Sequence, residues 1–118
     1  MLKEMIMKDK IERIANHYGF KKQSGQLIEE CAEIIQAIRK YNRFDEGLIT
    51  EDDILTSTND SNMLIQNLVE EIADVEIMLE QMKHLLHINS DAIEAIKEKK
   101  VNRQLERMEQ EAGKVNER

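Results

Sequence analysis

The complete absence of proline is the feature that most narrows the folds open to this chain of 118 residues. Proline interrupts helices and marks loops and edge strands, so a chain without it contains few enforced breaks. Glycine occurs only four times, and Glu, Lys, Ile, Leu, Met and Gln, which form or tolerate helices, dominate the sequence. Alternating strand patterns bounded by turn glycines are missing. We therefore predict an all-α fold, a four-helix bundle, in one domain that spans residues 1–118.

Apolar residues recur at helical spacing in four stretches. The predicted helices run from about Leu2 to His17, from Gly25 to Tyr41, from Met63 to His87 and from Asp91 to Ala112. Gly19 is expected to stop the first helix, Ser24 to cap the second, and Asn89 or Ser90 to cap the last. Residues 44–62 are rich in Asp, Glu, Ser, Thr and Asn and predict a long acidic loop, and residues 113–118 predict a frayed tail.

The charge balance and the cysteine count exclude several classes of function. The formal net charge is −7, which disfavours binding to a nucleic-acid duplex, because phosphate backbones require a basic face. Cys31 is the only cysteine, so the chain forms no internal disulfide and no cysteine-rich zinc site. No apolar run is long enough to span a membrane, and the first residues lack the apolar core of a signal peptide. We expect a soluble, cytoplasmic protein.

Two matched acidic motifs carry the strongest indication of chemistry. Residues 29–33 read Glu-Glu-Cys-Ala-Glu and residues 70–74 read Glu-Glu-Ile-Ala-Asp. In each motif the second and third acids are three positions apart and lie on one face of a helix, where they repel each other. A divalent cation would offset this repulsion, and a set of hard oxygen ligands suits Mg²⁺ or Mn²⁺. The candidate metal ligands are Glu30, Glu33, Glu71 and Asp74.

The positions of these acids around their helices support this interpretation. At about 100° per residue, the apolar stripe of the third helix consists of Leu64, Leu68, Ile72, Val75, Leu79, Met82 and Leu86. Glu71 falls inside the edge of this stripe and Asp74 lies just beyond it, while Glu30 flanks the stripe of the second helix. A carboxylate against a core edge is costly unless it is paired or bound to a metal.

Two other classes of protein are compatible with a helical chain of this kind. In a non-catalytic protein–protein interaction module the acids are solvated and the apolar stripes bind a partner helix, which predicts no dependence on metal. A di-iron carboxylate bundle requires Glu-x-x-His on two helices, and this motif does not occur in the sequence.

The segments SGQLIEECAEIIQAIRKY and NLVEEIADVEIMLEQM resemble the MazG-like all-α nucleoside triphosphate pyrophosphohydrolases, in particular the compact single-domain members found in phages. The signature of this family is ExxE on one helix and ExxD on the next, as in Glu30-x-x-Glu33 and Glu71-x-x-Asp74. The resemblance covers roughly residues 24–108. The 37 residues between the two motifs form a longer spacer than is usual in the family, and the acidic loop accounts for the surplus.

The resemblance implies a catalytic site in which these four acids bind Mg²⁺, with Mn²⁺ as a substitute. It also implies hydrolysis of a nucleoside triphosphate to the monophosphate and pyrophosphate, which clears non-standard or excess nucleotides. Members of the family form dimers or dimer-based tetramers, so we expect a homo-oligomer with the substrate near the subunit interface.

Candidate substrate contacts lie outside the acidic motifs. Lys97, Lys100 and Arg103 follow one another at helical spacing on the fourth helix and could bind the triphosphate, and Asn102 could donate a hydrogen bond to it. The alternative is a solvated basic face that pairs with neighbouring glutamates. Tyr41 lies on the Glu30 side of its helix and is the candidate for stacking on a nucleobase.

Overall fold

The computed structural model of the protein describes residues 5–47 and 61–116, and it places them in four helices. These are α1 (Met7–Tyr18), α2 (Phe20–Asp45), α3 (Ser61–Leu85) and α4 (Ser90–Asn116). No strand occurs among the described residues, so the predicted all-α class is confirmed for them. The chain divides into two compact units, Met1–Leu86 and His87–Arg118.

Gly19 ends α1, as the sequence predicts, and α2 begins at the very next residue. The N–H of Gly19 donates a hydrogen bond of 2.8 Å to the carbonyl of Ala15, and its φ of 84° and ψ of 168° lie in a region that essentially only glycine adopts. The predicted cap at Ser24 is wrong, because Ser24 lies inside α2 and its hydroxyl donates to the carbonyl of Lys21 at 3.1 Å. One glycine therefore separates two helices that the sequence places further apart.

The remaining helix ends differ from the predictions by a few residues. Helix α2 continues through Asp45, beyond the predicted end at Tyr41, and α3 begins at Ser61. Residues 48–60, most of the predicted acidic loop, lie outside the described residues. The predicted cap at Asn89 is confirmed, since its side-chain oxygen accepts a hydrogen bond of 2.8 Å from the N–H of Asp91. Helix α4 runs to Asn116, four residues past the predicted end at Ala112.

Helices α2 and α3 are antiparallel, and their contact surface, the α2–α3 seam, contains most of the buried positions of the first unit. Two contacts show the direction: Gln23 meets Gln81, and Glu30 meets Asp74. From the first contact to the second, the residue number rises along α2 and falls along α3. Buried and half-buried positions recur at alternating spacings of four and three, a heptad-like period. The positions that follow this period are Gln23, Leu27, Glu30, Ile34, Ala37, Tyr41 and Phe44 on α2, and Leu64, Leu68, Glu71, Val75, Met78 and Met82 on α3. Gln81, which precedes Met82, is buried as well.

The apolar stripe predicted for α3 is only partly buried. Leu64 and Met82 are buried, but Ile72, Leu79 and Leu86 are 44%, 48% and 50% exposed. Helix α3 is rotated so that the face carrying Glu71 and Met78 meets α2, and the other half of the predicted stripe faces outward. The prediction failed because α3 is apolar over an arc wider than one neighbouring helix can cover.

Helix α1 packs on the end of the pair α2–α3 through one polar cluster and one small residue. The Nε2 atom of His84 on α3 lies 2.8 Å from the side-chain oxygen of Asn16, and its Nδ1 atom lies 3.5 Å from a carboxylate oxygen of Glu12. Ala15 is completely buried. A small residue at this position allows α1 to approach its neighbours closely.

Helix α4 forms the second unit by itself and is solvent-exposed along almost its whole length. Its exposed apolar side chains include Val101, Leu105 and Met108, which follow one another at spacings of four and three. None of the described helices has the length and apolar character needed to cross a membrane.

The break between α1 and α2 gives a prediction with a matched control. Gly19→Ala should lower the free energy of unfolding by about 1–3 kcal/mol, because alanine at this φ and ψ is strained although the space around Gly19 is open. Gly25→Ala, in the helical interior of α2 and equally unobstructed, should raise it by about 1 kcal/mol. Urea denaturation followed by circular dichroism measures both, and equal effects of the two substitutions would contradict the assigned backbone at Gly19.

Candidate metal centre

Three carboxylates from two helices meet in the α2–α3 seam. Glu30 comes from α2, and Glu71 and Asp74 come from successive turns of α3. Each contributes one carboxylate oxygen to a group in which all the oxygens lie within 4.8 Å of one another. Each of the three residues as a whole is half-buried, but the acidic groups themselves differ: Glu30 is buried, Glu71 is intermediate and Asp74 is exposed. Water therefore screens the charge of Asp74 more than that of Glu30. We refer to these three residues as the acidic cluster.

Two oxygens of the acidic cluster have no partner in the structure. Glu30 Oε2 and Glu71 Oε2 are buried, and neither accepts a hydrogen bond. The other carboxylate oxygen of Glu30, Oε1, accepts a hydrogen bond of 2.7 Å from the side-chain amide of Gln26, which lies one turn earlier on α2. A buried acceptor without a partner typically costs about 1–3 kcal/mol. The orphaned pair therefore indicates a site formed for a ligand that supplies positive charge.

The electrostatics of Asp74 point in the same direction. Burial raises the pKa of Asp74, and the neighbouring Glu30 raises it further through its negative charge and through a hydrogen bond between the two carboxyl groups. Each of these causes favours the neutral form of the Asp74 carboxyl group over its charged form. A divalent cation would favour the charged form instead, so a proton and a metal ion would compete for Asp74.

The donor set fits Mg²⁺ or Mn²⁺. Carboxylate oxygens are the preferred ligands of both ions, and the two orphaned oxygens are free to bind one. The acids come from facing helices, so a bound cation would bridge α2 and α3. Mg²⁺ usually keeps several waters, and the exposed carboxylate of Asp74 is accessible to them.

Glu33 stands apart from the other predicted ligands. It lies one turn after Glu30 on α2, but its side chain is exposed and its oxygens do not belong to the group within 4.8 Å. Glu33 therefore remains a predicted ligand, whereas the structure brings Glu30, Glu71 and Asp74 together.

The predicted substrate contacts lie at other places in the chain. Lys97, Lys100, Asn102 and Arg103 are exposed on α4, in the second compact unit. Lys97 is engaged by Glu94 at 3.1 Å, which agrees with the solvated alternative for this one residue. Tyr41 is half-buried in the seam on the same face of α2 as Glu30, roughly 16 Å further along the helix axis.

Three glutamines form hydrogen bonds in or beside the seam, and the sequence analysis did not single them out. Gln26 donates to Glu30, and Gln23 donates to Gln81 inside the seam. Gln26 could have been found from its spacing, since it precedes Glu30 by four residues on one helix face. Gln23 and Gln81 could not, because a glutamine close to a helical core edge is most often solvated.

The comparisons with known proteins identify no relative: no family model matches the chain, and neither a curated protein nor a solved structure does. The resemblance to the MazG-like family therefore rests on the two acidic motifs and their surrounding residues, and it stays a hypothesis.

The raised pKa of Asp74 predicts how the stability of the metal-free protein depends on pH. The native state holds a proton on Asp74 at higher pH than the unfolded chain does. Asp74 therefore lowers the free energy of unfolding progressively as the pH rises from roughly 4 through the raised pKa. In EDTA, Asp74→Asn should be more stable than the wild type at pH 7, and the difference should vanish near pH 4.

The difference in stability is measured from the midpoints of urea unfolding across this pH range. The matched control is Glu76→Gln, at an exposed position of the same helix. A difference in stability between Asp74→Asn and the wild type that is the same at every pH would contradict the raised pKa of Asp74.

Proposed function

We propose that the protein is a magnesium-dependent nucleoside triphosphate pyrophosphohydrolase. In this reaction one water molecule adds across the anhydride bond between the α and β phosphates, and the products are the nucleoside monophosphate and pyrophosphate. The observation that carries the proposal is the pair of buried, unpartnered oxygens of Glu30 and Glu71, which lie beside Asp74. The reaction class comes from the resemblance of the two acidic motifs to the MazG-like family.

The chain's own residues account for the parts of this chemistry that a protein must supply. Glu30, Glu71 and Asp74 would hold the cation, and the hydrogen bond from Gln26 orients the Glu30 carboxylate. Bound Mg²⁺ would neutralise phosphate charge and lower the pKa of a coordinated water. A carboxylate beside that water can accept its proton. Glu33 is close enough in sequence and sufficiently exposed to serve as this base or as a further ligand.

The triphosphate also requires cationic groups from the protein. Lys100 and Arg103 are exposed on α4, and no ion pair is formed by either among the described residues. They are the proposed phosphate contacts, together with Lys97 and Asn102. Tyr41 is the proposed stacking partner of the base.

We also propose that the protein is a homo-oligomer, because α2 and α3 carry more apolar surface than the first unit buries. Ile28, Ile35 and Ile38 of α2 are 72%, 53% and 44% exposed. On α3, Ile65, Val69, Ile72 and Leu79 are between 44% and 51% exposed. In each helix, every one of these residues comes directly after a seam residue in the sequence. In an antiparallel helix pair, such positions of the two helices lie on the same side of the seam. A second copy would cover this continuous apolar flank.

The proposed reaction is tested with the purified protein, a panel of nucleoside and deoxynucleoside triphosphates, and either Mg²⁺ or EDTA. Pyrophosphate and monophosphate should appear in equal amounts with Mg²⁺ and be absent with EDTA. Glu71→Gln should lower the rate at least a hundredfold, because it removes one ligand charge from the acidic cluster. The matched control is Glu76→Gln on the same helix, which is exposed and should leave the rate within about twofold of the wild type.

Other outcomes of this assay have distinct meanings. Release of orthophosphate would support the metal site but move the cleaved bond to the terminal phosphate. If no nucleotide is hydrolysed and Mg²⁺ does not stabilise the protein, the proposed enzymatic function is wrong. The exposed apolar flank would then favour the helical interaction module as the function of the chain.

The oligomer is tested by light scattering coupled to size-exclusion chromatography. The wild type should elute as a dimer or a larger assembly, and Ile28→Glu with Ile35→Glu should shift it to the monomer, because two charges cannot be buried in an apolar interface without partners. Gln36→Glu, on an exposed part of α2, is the control and should leave the assembly unchanged. A monomeric wild type would contradict the proposed oligomer.

A further inference from the structure

The α2–α3 seam contains a second buried polar group besides the acidic cluster. The side-chain amide of Gln23 donates a hydrogen bond of 2.7 Å to Oε1 of Gln81. Gln23 is 6% exposed and Gln81 only 1%, which makes Gln81 the largest fully buried side chain among the described residues. A buried amide pair of this kind is stable only while both partners face each other.

The glutamine pair and the acidic cluster share one register. Glu30 lies seven residues after Gln23 on α2, and Asp74 lies seven residues before Gln81 on α3. Seven residues correspond to about 10 Å along each helix. In an antiparallel pair, the alignment that brings the two glutamines together therefore also brings Glu30 opposite Asp74.

The other seam residues specify this register only weakly. Most of them are Leu, Ile, Met or Val, and such side chains pack in more than one alignment at similar free energy. A slip of one helical turn displaces the helices by about 5.4 Å. The carboxylate oxygens of the acidic cluster lie within 4.8 Å of one another, which is less than this displacement, so the slip would change their spacing. Repulsion between the acids favours such a slip when no cation is bound.

We propose that the Gln23–Gln81 hydrogen bond fixes the register of α2 against α3 and thereby sets the spacing of Glu30 from Asp74. A slipped alignment leaves both amides buried without partners, and this penalty selects the native one, as a single buried polar residue does in coiled coils. Gln23 and Gln81 are thus positioning residues. Their effect on metal binding rests on the proposed function, whereas their effect on the register does not.

The test uses a double variant that carries both Gln23→Met and Gln81→Met, called the methionine pair, and compares it with the wild type. Methionine matches the shape of glutamine, and removing both partners leaves no orphaned amide, so the melting temperature should stay close to that of the wild type. Gln36→Met with Gln66→Met, at exposed positions of the same two helices, is the matched control.

The register is measured as a distance between two spin labels by double electron–electron resonance. The labels are attached to cysteines at the exposed positions Arg39 and Glu76 in a Cys31→Ser background, and labelled protein is diluted with unlabelled protein. The native alignment places these positions roughly 16 Å apart along the helix axis. The methionine pair should broaden the distribution or displace it by about 5 Å, whereas the control should keep the wild-type distance. A wild-type distance in the methionine pair would overturn the proposal.

Titration with Mn²⁺, followed by electron paramagnetic resonance of the unlabelled proteins, separates this inference from the proposed function. The methionine pair should bind Mn²⁺ at least tenfold more weakly than the wild type and the control. Unchanged Mn²⁺ affinity at a displaced distance would overturn the proposed link between the register and the acidic cluster. A wild type that binds no Mn²⁺ would overturn the metal site, while the label distances would still decide the register.

Single substitutions at Gln81 keep the test decisive should the methionine pair not fold. Gln81→Glu retains an acceptor for the Gln23 amide, and Gln81→Met does not. A wild-type label distance in the first variant and a displaced one in the second supports the proposal, and the same distance in both overturns it.

Discussion

The structure depends on an antiparallel contact between two long helices that is not purely apolar. The α2–α3 seam follows a heptad-like period, yet Gln23, Glu30, Glu71 and Gln81 occupy or border its positions. Carboxylates in such places oppose folding because they lose water and repel one another. The buried oxygens of Glu30 and Glu71 are left without partners, and Asp74 holds its proton more tightly than usual. These features are understandable if a cation completes the seam.

The proposed metal and the proposed second copy would couple function to stability in this fold. The apolar core of the first unit is small, with Ala15, Leu64, Met78 and Met82 as its buried hydrophobic residues among those described. A cation that bridges α2 and α3 would add free energy at the point where the seam is weakest. A second copy against the exposed apolar flank would add burial that one chain of this length cannot supply. Both contributions would act on α2 and α3.

Much of the fold and part of the site were predictable from local sequence rules. The lack of proline, the helical spacing of apolar residues, the stop at Gly19 and the cap at Asn89 all correspond to observed features. The spacing of Glu71 and Asp74 also placed both acids on one face of α3. These predictions succeeded because they depend on residues within one or two turns of each other. The cap at Ser24 failed because the backbone of Gly19 had already ended one helix and allowed the next to begin.

What the sequence alone determined is the helical class, the approximate helices and the two acidic motifs, since each follows from short-range periodicity and capping. Only the tertiary structure decided which arc of α3 is buried, because α3 is apolar over more than one arc and the choice depends on the helix it meets. That rotation brought Glu71 and Asp74 to Glu30, whereas Glu33 on α2 is exposed. It also joined Gln23 to Gln81 across 58 positions of sequence, a contact that no local pattern encodes. The packing of whole helix faces decides which distant residues meet. A single sequence shows the apolar faces of each helix but not which face packs against which.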